Sequence, residues 1–187
     1  MSAPDRHQLH VYTGDGKGKT TSCVGLAVRA VGAGHRVVFI QFDKGYDGQN
    51  EHYSERKVLR TLAGLRLEPT GRERIQPDGT FRFGVLPGDR EEAQRGLALA
   101  RAAVASSEVH LVILDEVLSA QQYHLITEAD LLALLEAWRD AGRPCELVLS
   151  GRTRLSSVLD QADLVTEMRK VRHYFDAGVP AREGIEY

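Results

Sequence analysis

Val11-Tyr12-Thr13-Gly14-Asp15-Gly16-Lys17-Gly18-Lys19-Thr20-Thr21 joins an apolar run to a helical stretch, and its reading decides the fold. Gly18, Lys19 and Thr20 match the end of the phosphate-loop pattern G-x-x-x-x-G-K-[ST], with Thr13 at the first glycine position. Gly14 and Gly16 supply the flexibility that Thr13 lacks. Glycines let the backbone curl so that successive N–H groups point inward, and the following helix adds partial positive charge at its N-terminus. Lys19 offers a point charge to phosphates, and the Thr20 hydroxyl is a ligand for Mg²⁺. The alternative of a dinucleotide loop needs G-x-G-x-x-G, but the residue three after Gly16 is Lys19. A plain glycine-rich turn does not explain why strand, Lys, Thr and helix coincide.

Outward from this loop, short β-rich runs alternate with helical stretches, the pattern of an α/β fold. Strands are expected at Gln8–Thr13, Arg36–Phe42, Leu65–Glu68, Val109–Leu114, Glu146–Leu149 and Asp163–Glu167. Helices are expected at Lys19–Val31, Glu51–Ala63, Arg90–Ala105, Thr127–Asp140 and Leu155–Gln161. Four glycines and two prolines between Thr70 and Asp89 predict a long loop, and such loops often act as lids. The tail from Met168 to Tyr187 shows no period. The expected fold is a single phosphate-loop NTPase-like (RecA-like) domain spanning residues 1–187, its mostly parallel sheet flanked by helices.

Composition bounds the class. At 187 residues the chain corresponds to about one domain and is long enough for a sizeable core. Its formal net charge of −2 excludes a nucleic-acid binder driven by overall charge. No apolar run is long enough to span a membrane, and the first residues lack the apolar segment of a secretory signal. Cys23 and Cys145 have no metal-ligand spacing and read as packing in a reduced, cytoplasmic protein.

Two further strand ends carry chemistry. Leu111-Val112-Ile113-Leu114 runs into Asp115-Glu116, and ligands of open parallel sheets bind beyond the carboxyl ends of strands. Asp115 or Glu116 is therefore expected at Mg²⁺, or Glu116 as a base that activates water. Ser150-Gly151-Arg152 ends another apolar strand, where Arg152 is expected to clamp phosphate oxygens. Lys44, in Gln41-Phe42-Asp43-Lys44-Gly45, has two equal readings, a phosphate contact and a solvated lysine.

Together these segments resemble the phosphate-loop type of ATP:corrinoid adenosyltransferases. The resemblance covers Thr13–Thr21, Gln41–Gly45, Val112–Glu116, Ser150–Arg152, Ala162–Met168 and the tail Val171–Tyr187, in the family's order. The tail is the specific element, because a generic ATPase has no reason to end that way. The resemblance implies attack by a cobalt(I) corrinoid on the 5′ carbon of ATP, with triphosphate expelled. Reduced cobalt is the nucleophile, so the protein's task is positioning and charge stabilisation. It implies that Thr13, Gly14, Asp15, Gly16, Lys17, Gly18, Lys19, Thr20 and Thr21 embrace ATP. Lys19, Glu116 and Arg152 become the catalytic group, and Thr20, Glu116 and Asp115 the Mg²⁺ set. It further implies a reduced corrinoid substrate (cobalamin or cobyrinic acid a,c-diamide), a reductase partner and a homodimer. An ordinary ATPase or kinase, and a non-catalytic module that hands on the product, are the rival readings.

The chain departs from the family in three places. Asp15 stands where Asn is common and is expected to face nucleoside hydroxyls. Only seven residues precede Gln8, so the N-terminal cover that some members place over the site is expected to be missing or supplied otherwise. Gly71-Arg72-Glu73-Arg74-Ile75 lacks the aromatic pair expected against a corrin, leaving Phe81 and Phe83 as substitutes or loop anchors. His173 reads equally as a corrinoid contact or a structural hydrogen bond. Trp138 reads as packing, and Arg169, Lys170 and Arg172 as a solvated face.

Overall fold

The computed structural model describes residues 7–46, 48–49, 51–74 and 82–187. Phe81, the opening residues and the centre of the expected lid lie outside them. Six strands form one sheet: β1 (Leu9–Thr13), β2 (Val37–Gln41), β3 (Leu65–Pro69), β4 (Leu111–Asp115), β5 (Glu146–Ser150) and β6 (Leu164–Glu167). Their order is β3-β2-β4-β5-β1-β6, and every neighbouring pair is parallel. One strand, β5, thus separates the phosphate-loop strand β1 from the carboxylate strand β4.

Central strands of a sheet covered on both faces read as unbroken apolar runs, and Val37–Gln41 and Leu111–Asp115 are buried throughout. Alternate residues enter two cores. Val38, Ile40, Val112, Leu114, Leu147 and Leu149 pack with helices α3 (Pro87–Val104) and α5 (Glu128–Asp140). Val37, Phe39, Leu111, Ile113 and Val148 pack beneath α1 (Lys19–Gly32), whose Cys23 and Ala27 are fully buried. Trp138 is core, as expected, and its indole N–H donates to the Cys145 carbonyl at 2.9 Å. Both thiols are free and buried, and burial pushes Cys145 up to about 12.

Several boundaries differ from expectation. The helix read over Glu51–Ala63 shrinks to α2 (Ser54–Leu59), because the Glu51 carboxylate folds back onto the Tyr53 N–H, Arg56 and Arg60. The expected lid is shorter at both ends. Thr70 continues the β3 register by donating its N–H to Gln41 O at 2.7 Å. Pro87 and Gly88 open α3: proline suits a helix's first position, and Asp89 accepts from the Leu86 N–H at 2.8 Å. Two short elements carried no readable period, α4 (Val117–Gln122) and a 3-10 turn at Tyr174–Ala177. His173 Nδ1 accepts the Phe175 N–H at 3.1 Å, so this histidine caps the turn.

Gly96 lets α3 approach the sheet. A Cβ there would lie 2.7 and 2.9 Å from the Phe42 ring and 3.0 Å from Thr70 Oγ1. Alanine gains about 1 kcal/mol of helix propensity over glycine, but Phe42 is wholly buried and has no room to yield. Overpacking wins: Gly96→Ala should lose ~1–3 kcal/mol, read as a lower urea midpoint at unchanged m-value.

Candidate functional site

The carboxyl ends of β1, β2, β4 and β5 bring Gly14–Thr21, Gln41–Lys44, Asp115–Glu116 and Ser150–Arg152 to one edge of the sheet. Gly14 takes φ 101° and Gly18 φ 130°, turning the loop tightly enough for α1 to begin at Lys19. Lys19 lies across its own loop, donating to Gly14 O at 2.8 Å and Gly16 O at 3.0 Å. Burial lowers its ammonium's pKa, and the nearby Glu116 charge opposes this. Thr13 Oγ1 accepts the Thr153 N–H at 3.2 Å, so the residue at the motif's first glycine position ties the loop to the segment after β5.

Two loop glycines serve a contact invisible in the motif. Gly16 N–H donates to Met168 O at 2.7 Å, and Met168 N–H to Thr13 O at 2.8 Å. A Cβ on Gly14 or Gly16 would lie 2.3 or 2.8 Å from Met168 O. The chain leaving β6 therefore occupies the space where side chains would stand. At Gly18 a Cβ would meet only Met168 Cγ, at 3.7 Å, so that glycine serves the positive φ.

Asp115 is the hub. Its carboxylate is wholly buried and accepts from Lys44 Nζ (2.7 Å), Ser150 Oγ (2.7 Å) and Thr20 Oγ1 (3.1 and 3.2 Å). Burial pushes its pKa up, but the Lys44 charge and these donors outweigh it, and the carboxyl sits below the ordinary value. Lys44, pulled down by burial and up more strongly by Asp115, is raised. Gln41, buried and hydrogen-bonded to Arg56, lies beside the same carboxylate at 3.5 Å. Glu116 adopts a left-handed conformation (φ 62°), and its N–H donates to Ser150 Oγ at 2.9 Å.

A cavity of about 520 Å³ opens over this hub, lined by Gly16–Thr21, Lys44, Tyr53, Glu55, Glu116 and Gly184–Tyr187. The two acidic residues thus divide: Asp115 is sealed beneath Thr20 and Lys44, and Glu116 faces the cavity. The tail forms one wall. Lys17 Nζ donates to Ile185 O (2.5 Å) and Glu186 Oε1 (3.1 Å), and Glu186 also holds Arg182 and Tyr174.

Arg152 is not among the residues lining that cavity. It lines a second one, about 690 Å³, with Thr13, Gly14, Asp15, Arg169 and Lys170 on the other flank of the loop. Asp15 Oδ1 accepts the Lys170 N–H at 3.0 Å, which lowers its pKa; its carboxylate ties the loop to the tail. Arg169 and Lys170, expected as a solvated face, line this cavity, while Lys170 also pairs with Asp176. Of the residues gathered around Asp115, Ser150 and Gln41 lie in the strand-end segments singled out above, but their type and spacing alone point to no role. Tyr53 and Glu55 carried no signal. Phe83 is 85% exposed.

A parallel sheet carrying this loop, its lysine, its hydroxyl and an acidic strand end defines a phosphate-loop nucleotide-binding protein. Residues 5–187 match the model of the family described as ATP:corrinoid adenosyltransferase BtuR/CobO/CobP, and the chain belongs to that family. It is 34% identical to the corrinoid adenosyltransferase of Escherichia coli K12 over 185 residues, covering 98% of this chain and 87% of that one. Identity to the corrinoid adenosyltransferase CobA of Salmonella typhimurium LT2 is 34% with the same coverage. The corrinoid adenosyltransferase of Pseudomonas aeruginosa PAO1 is 30% identical across 98% of this chain and 85% of its own.

Breaking the hub should be costly. Asp115→Asn leaves the Lys44 ammonium without its countercharge and should destabilise the fold by about 3 kcal/mol or more. The sign with pH follows from the depressed carboxyl. Its contribution is complete above the unfolded carboxylate pKa and fades as pH falls through the lower folded value. Urea melts across acidic pH should therefore show the variant's deficit narrowing as pH falls.

Proposed function

We propose that this protein transfers the 5′-deoxyadenosyl group of ATP to the cobalt(I) of a corrinoid and releases triphosphate. The cobalt electron pair forms the Co–C5′ bond, the C5′–O bond breaks, and triphosphate leaves with that electron pair. No protein base is needed. One observation carries the reading beside family membership: the cavity gathers the loop, Lys19, Thr20 and Lys44, a set suited to gripping polyphosphate. Asp115 is committed to three donors and is unsuited to proton abstraction.

In this reading Thr20, Asp115 and Glu116 hold Mg²⁺, whose chemistry is to neutralise charge on the departing triphosphate. The residues fit such an ion. Thr20 Oγ1 and the Asp115 oxygens are hard ligands set against each other, and the pair already draws in a cation, Lys44. Mg²⁺ is commonly held by one or two carboxylates plus substrate phosphates, so a larger acidic cluster is unnecessary. Thr13–Thr21 embrace the nucleotide, and Arg152, on the far flank, reaches phosphate only where the chain of phosphates runs over the loop. The substrate is cobalamin or cobyrinic acid a,c-diamide, reduced by a separate reductase. A homodimer and a cytoplasmic location complete the proposal; among the described residues, no helix is long and apolar enough to cross a membrane.

A rival is simple ATP hydrolysis, favoured by Glu116 facing the cavity, where it would suit a water-activating base. Product identity separates the two. Single-turnover mixing with ATP and chemically reduced corrinoid should give adenosylated corrinoid and triphosphate; orthophosphate or diphosphate instead would reject the proposal. Lys19→Ala should lower the single-turnover rate on the order of 100-fold or more while the protein stays folded by circular dichroism.

A further inference from the structure

The cation at the Thr20–Asp115 pair is supplied by the chain itself. Lys44 Nζ stands 2.7 Å from Asp115 Oδ2 and 2.9 Å from Thr20 Oγ1. Its backbone is pinned on every side. Lys44 N–H donates to Thr70 O at 3.0 Å, and its carbonyl accepts from Arg56 Nη2 at 2.6 Å. Asp43 before it is left-handed (φ 54°), and Gly45 after it lies so close to the Arg72 backbone that no Cβ would fit. Such a fixed main chain leaves only the four-carbon arm to move, and that arm lines the cavity shared with Lys19 and Glu116.

A divalent ion on the Thr20 and Asp115 oxygens would need the position the ammonium fills. The two cations repel at that spacing, and the Asp115 lone pairs are already committed to Lys44, Ser150 and Thr20. Phosphate oxygens in the cavity would give the ammonium another partner within reach of a flexible stem.

We infer that Lys44 is the resident counter-ion of the metal pair. Without nucleotide its ammonium closes the Thr20–Asp115 position. When metal and polyphosphate arrive together, it swings onto the phosphate oxygens and yields the position to the ion. Metal then enters with nucleotide and not ahead of it. The inference rests on the Mg²⁺ reading above and extends it to a positioning residue.

The test uses the full chain and Mn²⁺ as probe, with binding read by electron paramagnetic resonance. Without nucleotide, Lys44→Gln should bind Mn²⁺ at least tenfold more tightly than the unsubstituted protein. Lys44→Arg, which keeps the charge, should restore weak binding. With ATP present, Lys44→Gln should bind the nucleotide at least tenfold more weakly. Equal Mn²⁺ affinity of the unsubstituted protein and Lys44→Gln without ATP would overturn the inference. If the unsubstituted protein bound no Mn²⁺ even with ATP, the metal reading itself would fail, and this inference with it. Should Lys44→Gln not fold, the Lys44 Nζ resonance of the unsubstituted protein decides. It should shift on adding Mg²⁺ with ATP and stay in place with Mg²⁺ alone; a shift with Mg²⁺ alone would sink the inference.

Discussion

One buried negative charge organises this molecule's working edge. The Asp115 carboxylate is out of water, and an unpaired charge there would be too costly to persist. It is kept ionised by Lys44 from the end of β2, Ser150 from the end of β5 and Thr20 from the first turn of α1. These partners come from three separate stretches of chain, so satisfying one carboxylate fixes the mutual placement of four segments. Ser150 serves twice, because its oxygen also accepts the Glu116 N–H and so steers the next acidic residue toward the cavity.

The phosphate loop is constrained from the other side by the chain that follows β6. Met168 bonds to Gly16 and Thr13, Lys170 to Asp15, and Glu186 to Lys17. Four loop positions, Thr13, Asp15, Gly16 and Lys17, are thus also joints with the last twenty residues. Glu186 is held well below the usual carboxylate range chiefly by hydrogen bonds from Arg182 and Tyr174. The tail, the most family-specific stretch in the sequence, turns out to be a wall of the pocket.

The loop also divides the surface. On one flank lie the buried carboxylate, Lys44 and Glu116; on the other lie Arg152, Asp15 and the basic residues after β6. Chemistry at a sugar carbon with the whole triphosphate as leaving group asks for cationic grip along the phosphates and open approach to the carbon. A site with charge on both flanks of one loop suits that demand.

Much of this was legible in the sequence because its physics is local. Glycine spacing, the Lys19-Thr20 pair and the apolar run of β4 are short-range signals, and strand ends of a parallel sheet share one edge by topology. The start of α3 at Pro87 is a local signal as well, because proline suits the first position of a helix. The tertiary structure alone paired Lys44 with Asp115, seated Asp115 below and Glu116 beside the cavity, and set Arg152 on the opposite flank. Those outcomes depend on which polar groups meet once strands distant in sequence become neighbours. Nothing in the segment around Lys44 specifies a partner 71 residues away. What the chain order determines is that a phosphate loop and an acidic strand end exist; what burial determines is which charges must pair, and hence where each side chain points.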